Sequence, residues 1–157
     1  MMRRAMIKDI ETLALLYKET IVRTEEKSAY RFVNRFIKRN VLDNDVFVKE
    51  LNGKIIGAYI SEKNKFGDPY VKNKIPYDIY WLNQLMVFPE YQKQGYGKEM
   101  MEHYLASGVE HGAKSYKLVC RNNLIKYYKR LNFKIVDKGR MKRSERDHYI
   151  MEKVLIQ

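Results

Sequence analysis

The sequence predicts an α/β domain in which helices flank one mixed sheet, and three observations lead there. Apolar segments with helical and strand periodicity follow one another in the order βααββ(loop)βαβαββ. Asn52-Gly53 joins two β-branched and aromatic runs, and this dipeptide suits a type I′ hairpin turn because both central residues need φ > 0. Tyr77 to Val87 is an almost unbroken run of Ile, Tyr, Trp, Leu, Met and Val, as expected of a central strand buried on both faces.

The elements follow in order. A first strand is expected around Arg3 to Met6. Asp9 then stands where it can cap a helix whose Ile10, Leu13, Leu16, Tyr17 and Ile21 repeat every 3.6 residues. A second helix, Ser28 to Arg39, sets Phe32, Val33, Phe36 and Ile37 on one stripe. The hairpin strands run from Asp45 to Leu51 and from Lys54 to Glu62. Between Lys63 and Pro76, Gly67, Asp68, Pro69 and Pro76 lie among lysines, so this stretch reads as a loop, long enough to have a function of its own. Pro89 ends the long strand. Gly95 to Val109 is expected to be helical, with Met100, Met101, Tyr104, Leu105 and Val109 inward. A strand Ser115 to Cys120, a short helix Leu124 to Leu131, and strands near Phe133 to Lys138 and Asp147 to Leu155 complete the chain.

At 157 residues the chain suits one domain, residues 1–157, that buries about 68–70% of its unfolded surface without a disulfide or metal staple. Its lone Cys120 cannot pair internally, and no Cys/His cluster has zinc spacing. An intracellular, cytoplasmic location is the expectation. Lys8, Asp9 and Glu11 interrupt any signal-peptide core, and no stretch of 18 apolar residues suggests a membrane span. His103 and His111 are eight apart, beyond the spacing that puts two metal ligands together on a helix, so no metal is expected. Cys120 reads as a small core residue rather than an acyl carrier, with no histidine near it in sequence. The 31 Lys and Arg against 19 Asp and Glu leave a net charge of +12. Such an excess suggests a polyanionic ligand, nucleic acid or an acidic membrane surface, and it speaks of association rather than chemistry.

The most informative segment is Leu85-Met86-Val87-Phe88-Pro89-Glu90-Tyr91-Gln92-Lys93-Gln94-Gly95-Tyr96-Gly97-Lys98. A strand runs into a turn, and Gln92-x-x-Gly95-x-Gly97 lets bare backbone approach a ligand. The helix beginning there points its free N–H groups and positive dipole end at the turn, where phosphate is the expected occupant. Glycines needed only for φ > 0 would give the same spacing. The pattern is neither G-x-x-x-x-G-K-[ST] nor G-x-G-x-x-G, so neither a nucleotide triphosphatase nor a Rossmann site is supported.

At these residues the sequence resembles the GNAT acyl-CoA-dependent N-acetyltransferases over nearly its whole length. Arg3 to Ile10 resembles the family's first strand and Asp-started helix, and Leu85-x-Val87-x-Pro89 its fourth strand. Gln92-x-x-Gly95-x-Gly97 is similar to its pyrophosphate loop, and Asn122 to Phe133 to its Asn…Tyr-x-x-x-Gly-Phe segment, with Asn132 in place of the glycine. The resemblance implies a GNAT-like, largely antiparallel mixed sheet splayed at the fourth strand, with acetyl-CoA as co-substrate in the gap. It implies that the backbone of Leu85, Met86 and Val87 bonds the pantetheine arm and thioester in the manner of an added strand. Gln92, Lys93, Gln94, Gly95, Tyr96, Gly97 and Lys98 would wrap the pyrophosphate, and Asn122 or Asn123 would cap the following helix and touch the pantetheine. Lys93 and Lys98 read equally well as solvated helix-end lysines.

Tyr128 aligns with the family tyrosine that donates to the departing CoA sulfur. A phenol is protonated at neutral pH and so is ready to donate to a thiolate. Spacing alone reads Tyr128 as a core aromatic sharing a face with Leu124 and Leu131, and only the register to Phe133 prefers it to Tyr127. Asn132 tolerates the left-handed conformation needed at a helix C-cap. No general base is assigned: Asn83, Gln84, Val119 and Cys120 hold the strand positions where the family often places a Glu, which leaves Glu62, Asp78, Glu90 or a water chain.

The reading is transfer of acetyl from acetyl-CoA to a primary amine, on a small molecule, a peptide N-terminus or a lysine. Lys63, Lys65, Lys72 and Lys74, with Lys138, Arg140, Lys142, Arg143 and Arg146, read either as solvated loops or as flanks of a cleft for an acidic or ribosome-associated acceptor. A basic nucleic-acid-binding module without catalysis, resting on +12 and thirteen Tyr, and an acyl-CoA sensor are the alternatives. A homodimer suits the fold.

Overall fold

A computed structural model describes residues 1–22, 27–63, 79–140 and 147–155. Seven strands and four helices alternate: β1 (Met2–Arg4), α1 (Ile10–Tyr17), α2 (Lys27–Asp43), β2 (Asp45–Leu51), β3 (Lys54–Lys63), β4 (Ile79–Val87), α3 (Tyr96–Glu110), β5 (Ser115–Arg121), α4 (Ile125–Arg130), β6 (Lys134–Arg140) and β7 (Asp147–Val154). The strands form one sheet in the order β1-β2-β3-β4-β5-β7-β6. Of the pairs whose direction is described, only β4 and β5 run parallel. The chain groups into two compact units, Met1–Ser61 with Gln84–Ala106, and Glu62–Asn83 with Ser107–Gln157.

In the first unit, β2 and β3 form the expected hairpin, and Asn52 (φ 51°) and Gly53 (φ 76°) both take the left-handed conformation that its turn requires. Leu13, Ala14 and Leu16 of α1 and Val33 and Ile37 of α2 pack with Val46, Val48, Ala58, Ile60, Met86 and Phe88 in one apolar core. Gly57 is where β3 has no room for a side chain. A Cβ there would lie 2.7 Å from the Met86 carbonyl oxygen.

Three expectations for this unit are corrected. Asp9 precedes α1, but its carboxylate makes no bond to that helix. It accepts from the Met6 N–H (2.8 Å) and holds the Arg3 guanidinium at 2.8 and 3.1 Å, so it staples the incoming strand to the turn Ile7–Asp9. Helix α2 runs on to Asp43, and Phe32, placed in its stripe, is 71% exposed. Its Phe36 is half-exposed and meets the Tyr17 ring at 5.1 Å.

In the second unit, β4 pairs with β5 from Ile79–Ser115 to Leu82–Leu118 and continues for five residues past the last pair. β5 and β7 are antiparallel over seven pairs, from Ser115–Val154 to Arg121–His148. Tyr80, Trp81 and Leu82 are consecutive and buried, as expected of a strand covered on both faces, while Tyr77 lies outside the described residues. Near the end of α3 the buried positions are Ser107 and Gly108, and Val109, expected inward, is 60% exposed. The Tyr116 ring explains this offset: a Cβ on Gly108 would come within 2.3 Å of its Cε1.

Candidate active site

The turn in the first unit is built by local bonds. Pro89–Tyr91 makes a short 3-10 turn after Phe88, which is itself pinned by its N–H to Ile56 O at 2.9 Å. Gln92 Nε2 donates back to Val87 O (2.9 Å) and Gln94 Nε2 to Glu90 O (3.1 Å), so both side chains brace the turn. Lys93 (φ 62°) and Gly95 (φ 89°) are left-handed and reverse the chain into α3. The first described bond of α3 is Glu99 N–H to Gly95 O, 3.2 Å, so the N–H groups of Tyr96, Gly97 and Lys98 precede the helical ladder. Gln92 to Gly95 and Lys98 are exposed, and nothing lies within 4 Å of a Cβ built on Gly95. A diphosphate suits such a turn: open backbone donors at the positive end of a fifteen-residue helix, with a lysine on either side. Leu85, Met86 and Val87 lead into it on β4, with Met86 buried and its neighbours half-buried.

In the second unit, Tyr128 lies on α4, 8% exposed, with its ring edge-on to Tyr127 (5.2 Å between centroids) and Phe133 (5.8 Å). Burial, aided by Cys120 and Tyr127, pushes its hydroxyl well above the usual phenol value, so it keeps its proton. Among the described residues no group hydrogen-bonds that hydroxyl. Asn132 (φ 68°) ends the helix, with the Phe133 N–H returning to Tyr128 O at 3.1 Å, so the left-handed cap forms without glycine. The capping expected of Asn122 or Asn123 does not occur. Both lie exposed in the 3-10 turn Asn122–Leu124, and Leu124, which has no side-chain oxygen, takes the N-cap position of α4.

Of the acidic candidates, Glu62 accepts from Asn83 Nδ2 at 3.2 Å, Glu90 is exposed, and Asp78 lies outside the described residues. The Asn83 Oδ1 atom is buried without a hydrogen-bond partner, a state that costs on the order of 1–3 kcal/mol. The Glu62–Asn83 contact was not legible in the sequence, since 21 residues separate the two and only strand pairing brings them together. Cys120 is buried, its Sγ donates to Met151 Sδ at 3.5 Å, and burial raises the thiol, which opposes a thiolate nucleophile.

His103 bonds Tyr59 at 2.7 Å, and His111 Nδ1 donates to Ser107 O at 2.7 Å, so both rings serve packing. Among the described residues no group of His, Cys, Asp and Glu could hold a metal ion, and no helix is long and apolar enough to cross a membrane. Lys138 sits over the Tyr149 ring at 5.7 Å. Lys65, Lys72, Lys74, Lys142, Arg143 and Arg146 lie outside the described residues, as do the side chains of Lys63 and Arg140.

A search of curated protein sequences finds no match. Solved structures do match. Ard1 from Thermoplasma volcanium is 17% identical with TM-score 0.71, covering 100% of this chain and 98% of that one. YncA from Salmonella typhimurium, solved with its cofactor acetyl-CoA, is 15% identical with TM-score 0.74, covering 100% and 94%. The ribosomal-protein-S18-alanine N-acetyltransferase from Escherichia coli is 19% identical with TM-score 0.73, covering 97% and 91%. At such identities these likenesses speak for the fold. The sequence model of the acetyltransferase (GNAT) family matches residues 8–133, most of the chain, including the Gln92 to Lys98 turn and Tyr128. The chain therefore belongs to the GNAT acetyltransferase family and is an acyltransferase that uses acetyl-CoA as its co-substrate.

Proposed function

We propose that residues 1–157 act as one N-acetyltransferase domain that moves the acetyl group of acetyl-CoA to a primary amine by direct attack in a ternary complex. The observation that carries this reading is the Gln92–Lys98 turn, whose left-handed Lys93 and Gly95 leave three helix N–H groups for a diphosphate. Backbone of Leu85, Met86 and Val87 holds the pantetheine arm, as an edge strand takes an extended peptide. Asn122 and Asn123, exposed and engaged in no cap, are the candidates to meet that arm from the second unit. Tyr128 is the proton donor to the leaving sulfur, because its burial keeps the phenol protonated.

Tyr128→Phe is therefore expected to lower turnover by about 10²-fold or more while acetyl-CoA affinity stays the same. Steady-state rates and calorimetric titration check both halves, and an unchanged rate removes Tyr128 from the mechanism.

Among acceptors, an acidic or ribosome-associated N-terminus is favoured by the net charge of +12, and one structural neighbour is a ribosomal-protein-alanine acetyltransferase. A nucleic-acid-binding module without catalysis is disfavoured by its aromatics. Tyr59, Tyr80, Tyr104 and Tyr116 are fully buried and offer no stacking surface.

A further inference from the structure

We propose that Glu62 and Asn83 receive the ammonium group of the acceptor and that Glu62 takes its proton, an inference that rests on the acetyl-transfer reading above. Asn83 Nδ2 donates to Glu62 Oε2 at 3.2 Å. A carboxylate only accepts hydrogen bonds, so this contact fixes the orientation of the amide. The amide oxygen is thereby turned away from Glu62, and among the described residues it is the one buried side-chain polar atom left without a partner. Buried polar atoms are almost always paired, so an orphaned acceptor beside a carboxylate calls for an incoming donor. Two adjacent acceptors, one of them charged, match a primary ammonium, which brings three N–H bonds and the opposite charge. A hydroxyl or a neutral amide would satisfy Asn83 and leave the carboxylate charge unmatched.

The position suits the chemistry. Asn83 stands two residues before Leu85 on β4, so the two share a side of the strand about 7 Å apart along it. Leu85 begins the backbone stretch proposed to hold the thioester arm. The ammonium nitrogen gives one proton to Glu62, and its freed electron pair forms the C–N bond to the thioester carbonyl carbon. The C–S bond breaks with its electron pair on sulfur, and the thiolate takes a proton from Tyr128. The second proton lost from nitrogen restores Tyr128 through solvent. Ammonium and thioester thus give amide, thiol and one proton, which Glu62 passes to water.

Glu62→Gln keeps an acceptor for Asn83 and removes the base. It is expected to lower kcat/KM about 100-fold for alkylamines that are protonated near neutral pH. Hydrazine or aniline-type acceptors, already neutral there, should lose no more than about threefold, because they need no proton removed before attack. Glu62→Asp should recover part of the loss. Asn83→Leu should raise the acceptor KM about tenfold with kcat little changed, as expected of a binding contact. Equal losses for charged and neutral amines, or wild-type rates in Glu62→Gln, would overturn the assignment and leave acetyl transfer standing. A wild-type protein that releases no CoA with any amine would overturn both.

Discussion

Asp9 shows how much one carboxylate can organise. Its two oxygens take the Met6 N–H and the Arg3 guanidinium, and Arg3 Nε reaches on to Glu50 at 2.7 Å. Arg3 holds the Asp9 carboxyl below the usual carboxylate range. A group whose folded value is depressed lends its full stability above the unfolded value near 4 and loses it as pH falls through the lower, folded one. Asp9→Asn is accordingly expected to cost about 2 kcal/mol at pH 7, and the difference from wild type should shrink below pH 4. Urea midpoints at pH 7 and pH 3 check this, and equal differences at both would contradict the ion pair's role. The sequence placed Asp9 at the right boundary with the wrong partner. A short acidic residue before an apolar run reads as a cap, and nothing local tells that Arg3, six residues back, competes for it. At Tyr128 the motif and the structure agree on a buried, protonated phenol. At Asn122 and Asn123 the motif suggested a cap that a 3-10 turn replaces.

Elements were the most legible level. The Asn52-Gly53 hairpin, the buried run of β4 and the strand–turn–helix through Pro89 and Gly95 each carry local chemistry that fixes the backbone, and each forms as expected. What periodicity could not give was the covered arc of a helix, because this depends on partners distant in sequence. On α3 the inward stripe turns from Leu105 and Val109 toward Ser107 and Gly108, since the Tyr116 ring needs a position without a Cβ. On α2, Phe32 reads as core by hydrophobicity yet faces outward. The Gly108 contact makes a prediction at this scale. Tyr116 is fully buried and cannot swing away, so Gly108→Ala is expected to destabilise the protein by about 1–3 kcal/mol, seen as a lower thermal midpoint. An unchanged midpoint would mean that the ring does not occupy that seat.

For the whole molecule, the family match and the fold make an acetyl-CoA-dependent acyltransferase, and the +12 charge bears on what it acylates. The turn at Gln92–Lys98 accounts for only two of the lysines, and much of the remaining excess lies on segments that carry no acceptor signature. The acceptor was therefore the least legible property. Its pocket depends on side chains brought together from separate segments, of which the Glu62–Asn83 pair is one example. The most direct test is release of free CoA from acetyl-CoA, followed by thiol titration over a panel of small amines, polyamines and peptides with acidic N-termini, at low and high salt. Release that requires an amine, matches the acetylated product mole for mole and favours acidic peptides in a salt-sensitive way is the predicted result. Acetyl-CoA binding without amine-dependent release would contradict catalysis and leave a sensor, while a salt-insensitive preference for polyamines would contradict the acidic acceptor.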